Sequence, residues 1–270
     1  MTNLATIKRS FVTLSDGQIH YAECGPPDGD VVLFLHQTPR SWAEFRDVLP
    51  IVGQRYRAIA MDTIGFGDSV VPAWKGTIER WSAVAAEFLS SLGVQTAHVV
   101  GHHTGGVIAI ELAAARPDLV GKLVLSSTPF TDQAFRDARV GKPGIDEVEV
   151  RADGTHLAAL WQRRQDFYPD GRPDLLQAFV LDALKVFDHV EYGHTAVASY
   201  RMEDRISLVQ QSTLILRAMG DPFASPHAPE LLARLSAARI VEVEKGMVPL
   251  PDQLPIEFAG EVLTFLDGAA

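Results

Sequence analysis

Four short stretches combine residues able to move a proton, hold a developing charge or bend the backbone sharply. They are His36-Gln37-Thr38-Pro39-Arg40, Asp62-Thr63-Ile64-Gly65-Phe66-Gly67-Asp68-Ser69, Gly101-His102-His103-Thr104-Gly105-Gly106 and Met219-Gly220-Asp221-Pro222. An imidazole titrates at about pH 6.5, so His103 is suited to take a proton from water or from an activated substrate near neutrality. A carboxylate such as Asp221 is suited to orient that ring and stabilise its cation. His36, His103 and Asp221 are also acceptable ligands for a first-row metal. No compact His-Glu-x-x-His motif supports a metal, however, and His189 and His194 stand five apart, which does not put both on one helical face. No metal is therefore expected. No Gly-x-Gly-x-x-Gly follows the run Val31–His36, and a P-loop is missing, so no nucleotide, flavin or other organic cofactor is expected.

The order of elements that must carry these stretches is readable from hydrophobic pattern. Phe11–Leu14 and Gln18–Glu23 flank Ser15-Asp16-Gly17, a hairpin signal. Short apolar runs bounded by turn residues follow at Val31–His36, Tyr56–Met61, Ala97–Gly101 and Leu119–Ser126 and read as buried strands. Helical patterns alternate with them over Trp42–Leu49, Ile78–Leu92 and Gly105–Arg116. That alternation predicts a parallel sheet covered on both faces. From about Phe130 to Met202 the chain becomes richer in charge and aromatics, with helical patterns near Thr155–Phe167, Pro173–Phe187 and Val190–Arg201 and no convincing strand. The rhythm then resumes with Thr213–Arg217, a helix over Ala228–Ala237, a strand at Ile240–Val243 and a closing helix over Pro255–Leu266. One core, residues 1–129 and 204–270, interrupted by a helical cap over 130–203, accounts for this order. In an open parallel sheet ligands bind beyond the carboxyl ends of the strands, and all four stretches lie there.

Taken together, the four stretches resemble the alpha/beta-hydrolase fold family over almost the whole chain. Gly101-His102-His103-Thr104-Gly105 occupies the place of the family's nucleophile elbow, Gly-x-Ser-x-Gly, a sharp strand-to-helix turn. The central residue here is His103 in place of serine. A second departure lies at Lys245-Gly246-Met247-Val248-Pro249-Leu250, where Met247 holds the place of the family's catalytic histidine and cannot accept a proton. The acid is retained as Asp221. The family's Ser/Asp/His set therefore reads as His103/Asp221/Met247, and the acyl-enzyme mechanism does not carry over. The family's oxyanion-hole position reads His36-Gln37, and the resemblance implies that the N–H groups of Gln37 and Thr104 hold an oxyanion. Asp62, Gly65, Gly67 and Ser69 match a family loop whose work is mainly structural.

His103 is open to three readings: general base, nucleophile needing a second base, or relic of a lost site. His102 reads as structural and His36 as a residue shaping the substrate site. In the cap, Tyr192 and His194 are candidates to face the substrate, while most of the cap aromatics read as its own core. Arg40 is expected to form an exposed ion pair with Glu44, four residues on. The leading expectation is hydrolysis of a small hydrophobic ester, lactone or carbon–carbon-bonded carbonyl compound, with His103 oriented by Asp221 as general base. The rivals are cofactor-free proton abstraction of the lyase, decarboxylase or oxygenase kind, and a non-catalytic small-molecule binder.

Composition removes other classes. The chain has 270 residues, 24 Lys and Arg against 34 Asp and Glu and a formal net charge of −10, with no basic run, so a nucleic-acid partner is not expected. No window of 18 uncharged apolar residues and no leader-like start are found, which predicts neither a membrane span nor a signal peptide. One cysteine, Cys24, suits a reducing cytoplasm and reads as a small buried apolar residue. A homodimer is the default expectation for such a chain.

Overall fold

Alternating apolar runs and turn residues give this chain eight strands and ten α-helices among the residues that the computed structural model describes, 6–268. The strands are β1 (Lys8–Leu14), β2 (Gly17–Cys24), β3 (Val31–Leu35), β4 (Arg57–Met61), β5 (Ala97–His102), β6 (Val120–Ser126), β7 (Thr213–Ala218) and β8 (Ala238–Val243). The helices are α1 (Leu49–Val52), α2 (Ile78–Ser91), α3 (Thr104–Ala115), α4 (Gln133–Arg139), α5 (Thr155–Gln165), α6 (Pro173–Lys185), α7 (Tyr192–Ser199), α8 (Ala228–Arg234), α9 (Leu250–Gln253) and α10 (Pro255–Leu266). One sheet holds all the strands in the order β1-β2-β4-β3-β5-β6-β7-β8. β1 pairs antiparallel with β2 and β2 antiparallel with β4, whereas every pair from β4 across to β8 is parallel.

The central strands are buried on both faces, Val31, Val32, Leu33, Phe34 and Leu35 without exception, because helices cover the sheet on each side. On one face Leu33, Val99 and Leu123 pack with Phe88, Leu89 and Ile108 of α2 and α3. On the other, Val32, Phe34 and Val100 pack with Phe45, Val52 and Phe258, and Cys24 is buried among them. Full burial of each such side chain contributes about 1.5–3 kcal/mol, and this apolar sandwich fixes where the strand ends emerge. Between β6 and β7 the described chain contains α4 to α7 and no strand; Leu160, Tyr168, Leu175, Leu176 and Phe179 form a smaller cluster there, joined by Val248 from the loop after β8. No helix among the described residues is long and apolar enough to cross a membrane.

Three local expectations change. Residues 42–49 form a 3₁₀ turn, Trp42–Phe45, and then α1, because Pro50 near the start of α1 lacks the N–H that one continuous helix would need. α8 stops at Arg234 because Leu235 turns extended and buries its side chain in the core. α4 adds a short helix with Asp132 as its cap, the carboxylate accepting from Phe135 N–H at 2.8 Å.

Arg40 is the main correction. It is not exposed: the guanidinium is fully buried, with Nε donating to Asp182 of α6 at 2.9 Å and Nη1 donating to Asp252 of α9 at 2.6 Å, while Glu44 lies 3.8 Å away. One cation thus ties the loop after β3 to α6 and to α9. Three carboxyls face it, more negative charge than one guanidinium can balance, and burial pushes Glu44 up to about 8 against the pull of Arg40.

Two stability predictions follow from this cluster. Arg40→Ala strands three buried carboxyls and should cost about 3–5 kcal/mol in urea unfolding. A carboxyl raised in the fold from its ordinary 4.5 contributes fully at acidic pH and loses that contribution as pH climbs through about 8, so wild type should weaken over this range and Glu44→Gln should flatten the loss.

Candidate active site

The turn from β5 into α3 puts His103 above the sheet. His103 has φ 47° and ψ −114°, a region that costs a residue with a side chain about 1–3 kcal/mol. The turn is held because His103 N–H donates to Ser126 C=O at 3.0 Å and its own C=O accepts from Gly106 N–H at 2.9 Å. It is also held because α3 runs against β3 so closely that a Cβ on Gly105 would lie 1.9 Å from the Leu35 carbonyl oxygen. Local sequence therefore dictates the sharp turn, and the turn dictates where the imidazole stands.

Asp221 reaches the same place from the loop after β7. It is fully buried, and its Oδ1 accepts from Phe223 N–H at 2.9 Å and Ala224 N–H at 3.1 Å. Its Oδ2 lies 2.8 Å from His103 Nε2, off the line of the ring N–H, so the contact is a close approach and not a well-aligned hydrogen bond. Burial alone would raise this carboxyl, but His103 and the two backbone N–H groups outweigh it and hold Asp221 at about 2. With Nε2 against Asp221, Nδ1 is the His103 nitrogen left to accept a proton.

The imidazole packed against it, His102, is not free to act as a second base. His102 is fully buried; Nε2–H donates to Val248 C=O and Nδ1 accepts from Ser126 Oγ, both at 2.9 Å, and burial holds it neutral, well below the usual imidazole range. It meets His103 edge-on, ring centroids 4.7 Å apart. Met247, half-buried, offers no proton acceptor, and its N–H donates to Gln253 Oε1 at 2.7 Å.

A cavity of about 190 Å³ opens over His103. Its wall takes Gln37, Thr38 and Thr104 from the core, Phe135, Ile145, Arg164, His194 and Val197 from the helical segment, and Phe223 and Val248 from the loops after β7 and β8. Of the sequence-derived candidates, His103, Thr104, Gln37 and His194 line it. His36 does not: it is fully buried, Nδ1–H donates to Gln37 C=O at 2.7 Å and Nε2 accepts from Thr63 N–H at 3.0 Å, so it shapes the loop and cannot touch a substrate. The same engagement removes it from any metal set with His103 and Asp221. Tyr192 does not line the cavity either; its exposed ring lies tilted against His189, centroids 5.3 Å apart.

Gln37 requires a further correction. Its backbone N–H already donates to Glu44 Oε2 at 2.9 Å and its amide to Glu44 Oε1 at 2.5 Å, so that N–H is not available to an oxyanion. Thr104 opens α3, where the first N–H groups have no intrahelical acceptor and the helix dipole favours negative charge. Its hydroxyl shares a 2.9 Å hydrogen bond with that of Thr38, a cavity residue not singled out from sequence although it stands beside Gln37 in the same stretch. α7 presses onto Thr38 so tightly that a Cβ on Gly193 would fall 1.7 Å from the Thr38 hydroxyl, and the next residue, His194, is thereby set on the cavity wall.

Comparison with known proteins agrees with this architecture. A family model described as alpha/beta hydrolase fold matches residues 30–247. The 2-hydroxy-6-oxononadienedioate/2-hydroxy-6-oxononatrienedioate hydrolase 1 of Dechloromonas aromatica is 35% identical over 133 residues, 46% of this chain and 45% of that protein. Epoxide hydrolase B of Mycobacterium tuberculosis is 33% identical over 161 residues, 56% of this chain and 44% of that protein. The chain thus spans less than half the length of these curated relatives. A hydrolase from Pseudomonas aeruginosa superposes with a TM-score of 0.82 at 22% identity, covering 97% of this chain and 99% of its own. The enol-lactonase from Burkholderia xenovorans superposes with a TM-score of 0.78 at 18% identity, covering 96% and 100%. With the family model spanning residues 30–247 and the eight-stranded sheet in place, the chain belongs to the alpha/beta hydrolase fold family.

Proposed function

We propose that this chain hydrolyses a small, largely apolar ester or lactone, with His103 as general base. The observation that carries this reading is the 2.8 Å approach of His103 Nε2 to the buried Asp221 carboxylate at a cavity wall. Asp221 fixes the tautomer in which Nδ1 is unprotonated and stabilises the imidazolium once the proton has moved. A nucleophilic His103 would need a second base, whereas His102 has both ring nitrogens engaged and position 247 is methionine. The base reading needs only water. Nδ1 removes a proton from water as its oxygen attacks the carbonyl carbon, and the developing oxyanion is met by Thr104 N–H at the start of α3, beside the Thr38 and Thr104 hydroxyls. Collapse expels the alcohol oxygen, leaving a carboxylic acid. Pro129, Phe135, Ile145, Val197, Phe223 and Val248 give the cavity the apolar wall that a small hydrophobic acyl group would fill. The relatives named as hydrolases of dienedioates and of epoxides support hydrolysis as the reaction class without fixing the substrate. In this reading residues 130–203 act as a cap over a core made of 1–129 and 204–270.

Turnover of a panel of activated esters, lactones and aryl diketones tests the reading, with free imidazole and an unrelated folded protein as controls. Wild type should exceed both, and His103→Ala should lose roughly 10²–10⁴-fold in kcat/KM. No turnover above the controls would overturn hydrolysis and favour proton abstraction or simple binding.

Asp221, held at about 2, is ionised throughout pH 5–9, so the rate should fall with one inflection as pH drops through protonation of His103. Asp221→Asn, which permits the wrong tautomer, should lower kcat by roughly 10²-fold or more while leaving the thermal midpoint within a few degrees. An unchanged rate would remove Asp221 from the mechanism.

A further inference from the structure

A second histidine–aspartate pair stands in the helical segment, with its histidine, His194, lining the same cavity. His194 Nε2 lies 2.7 Å from Asp146 Oδ2, and Arg164 Nε donates to the other oxygen at 2.6 Å while its Nη2 also reaches Oδ2. Asp146 is fully buried, and although burial alone would raise it, Arg164 and His194 hold its carboxyl well below the usual range. It is therefore ionised and can only accept, which fixes His194 Nε2 as a donor and leaves Nδ1 as the nitrogen available to a substrate. The charged groups around the ring are Asp146 and Glu191, whose oxygens lie with His194 in a cluster no wider than 4.8 Å, and Arg164, whose Nη2 is 3.3 Å from Nε2; Arg139 stands further along the cavity wall. Arg164 occupies both oxygens of Asp146, so the cluster serves the histidine and not a cation.

We infer that His194, on the part of the cavity wall supplied by α7, is the general acid that protonates the leaving oxygen, with Asp146 and Arg164 as its positioning residues. This rests on the proposed hydrolysis and completes its proton balance. His103 takes a proton from water, the water oxygen bonds to the acyl carbon, and the acyl carbon–oxygen bond breaks with its electron pair on the leaving oxygen. His194 Nδ1–H supplies that oxygen with its proton. The imidazolium of His103 and the neutral ring of His194 then exchange one proton through water, returning both to their starting states. Net, ester and water give acid and alcohol. The base and acid duties fall on different rings, which answers the methionine at position 247, the place of the family's catalytic histidine.

The decisive variable is the leaving group. With the acyl group of the best panel substrate held constant, kcat/KM is measured for its 4-nitrophenyl ester, whose leaving oxygen needs no proton, and for its ethyl ester, whose leaving oxygen does. His194→Gln should lower the ethyl ester rate roughly 10²-fold or more and leave the nitrophenyl ester within about threefold. Wild type should show a bell-shaped pH profile on the ethyl ester only, and His194→Gln should lose its alkaline limb. Asp146→Asn should follow the same leaving-group pattern more weakly. Equal losses on both esters, or no loss on either, would overturn the assignment of His194 while leaving His103 in place. Unchanged rates in His103→Ala would instead overturn the hydrolytic reading itself.

Discussion

The strained turn at His103 is the constraint on which the site depends. A residue at φ 47° and ψ −114° stays there only because Ser126, Gly106 and the close packing of α3 against β3 over-determine the backbone on either side. Those groups in turn are positioned by the apolar sandwich that buries β3, β5 and β6 on both faces. The strain lifts one side chain above the sheet at the start of a helix, where Asp221 meets it from β7 and Thr104 offers an N–H. Placing imidazole at the tip, without an intervening histidine, shortens the usual three-residue path to two, and the longer ring spans the distance to the acid directly at 2.8 Å.

The buried Arg40 cluster explains how the rest of the cavity is kept in register with that tip. Arg40 holds α6 through Asp182 and α9 through Asp252, and Glu44, in the same cluster, holds the Gln37 N–H and amide. The loop that in a serine enzyme of this family would donate to an oxyanion is here spent on a structural contact. In the proposed reaction the oxyanion falls to Thr104 and Thr38, and α7, which rests on Thr38 at Gly193, sets His194 on the wall.

Much of this was legible in sequence for definite physical reasons. Short apolar runs between turn residues marked the central strands β3 to β7, because burial on both faces leaves no alternation to confuse with a helix, while a hairpin turn between alternating runs marked β1 and β2. His103 and Asp221 were readable because they follow strands and because Gly101, Gly105 and Gly106 mark a tight turn. What sequence could not show was partnership across the fold. Arg40 and Glu44 look like an exposed helical pair at four-residue spacing, yet Asp182 and Asp252, far along the chain, draw Arg40 into the interior. Gln37 looks like a backbone donor until Glu44 takes its N–H. His36 and Tyr192 have the chemistry of substrate contacts, but one ring is consumed by Gln37 and Thr63 and the other lies outside the cavity. Asp146 carried no motif at all, since its role arises only where α5 and α7 converge on it.

The central claim, that His103 is the base and Asp221 sets its tautomer, is tested most directly by following the His103 ring nitrogens by ¹⁵N nuclear magnetic resonance and overlaying their titration on the pH profile of kcat/KM. The account predicts an Nε2–H tautomer at neutral pH, protonation of Nδ1 with a midpoint that coincides with the loss of rate, and disturbance of that tautomer in Asp221→Asn. A rate that falls where His103 does not titrate, or a ring carrying its neutral-state proton on Nδ1, would contradict it.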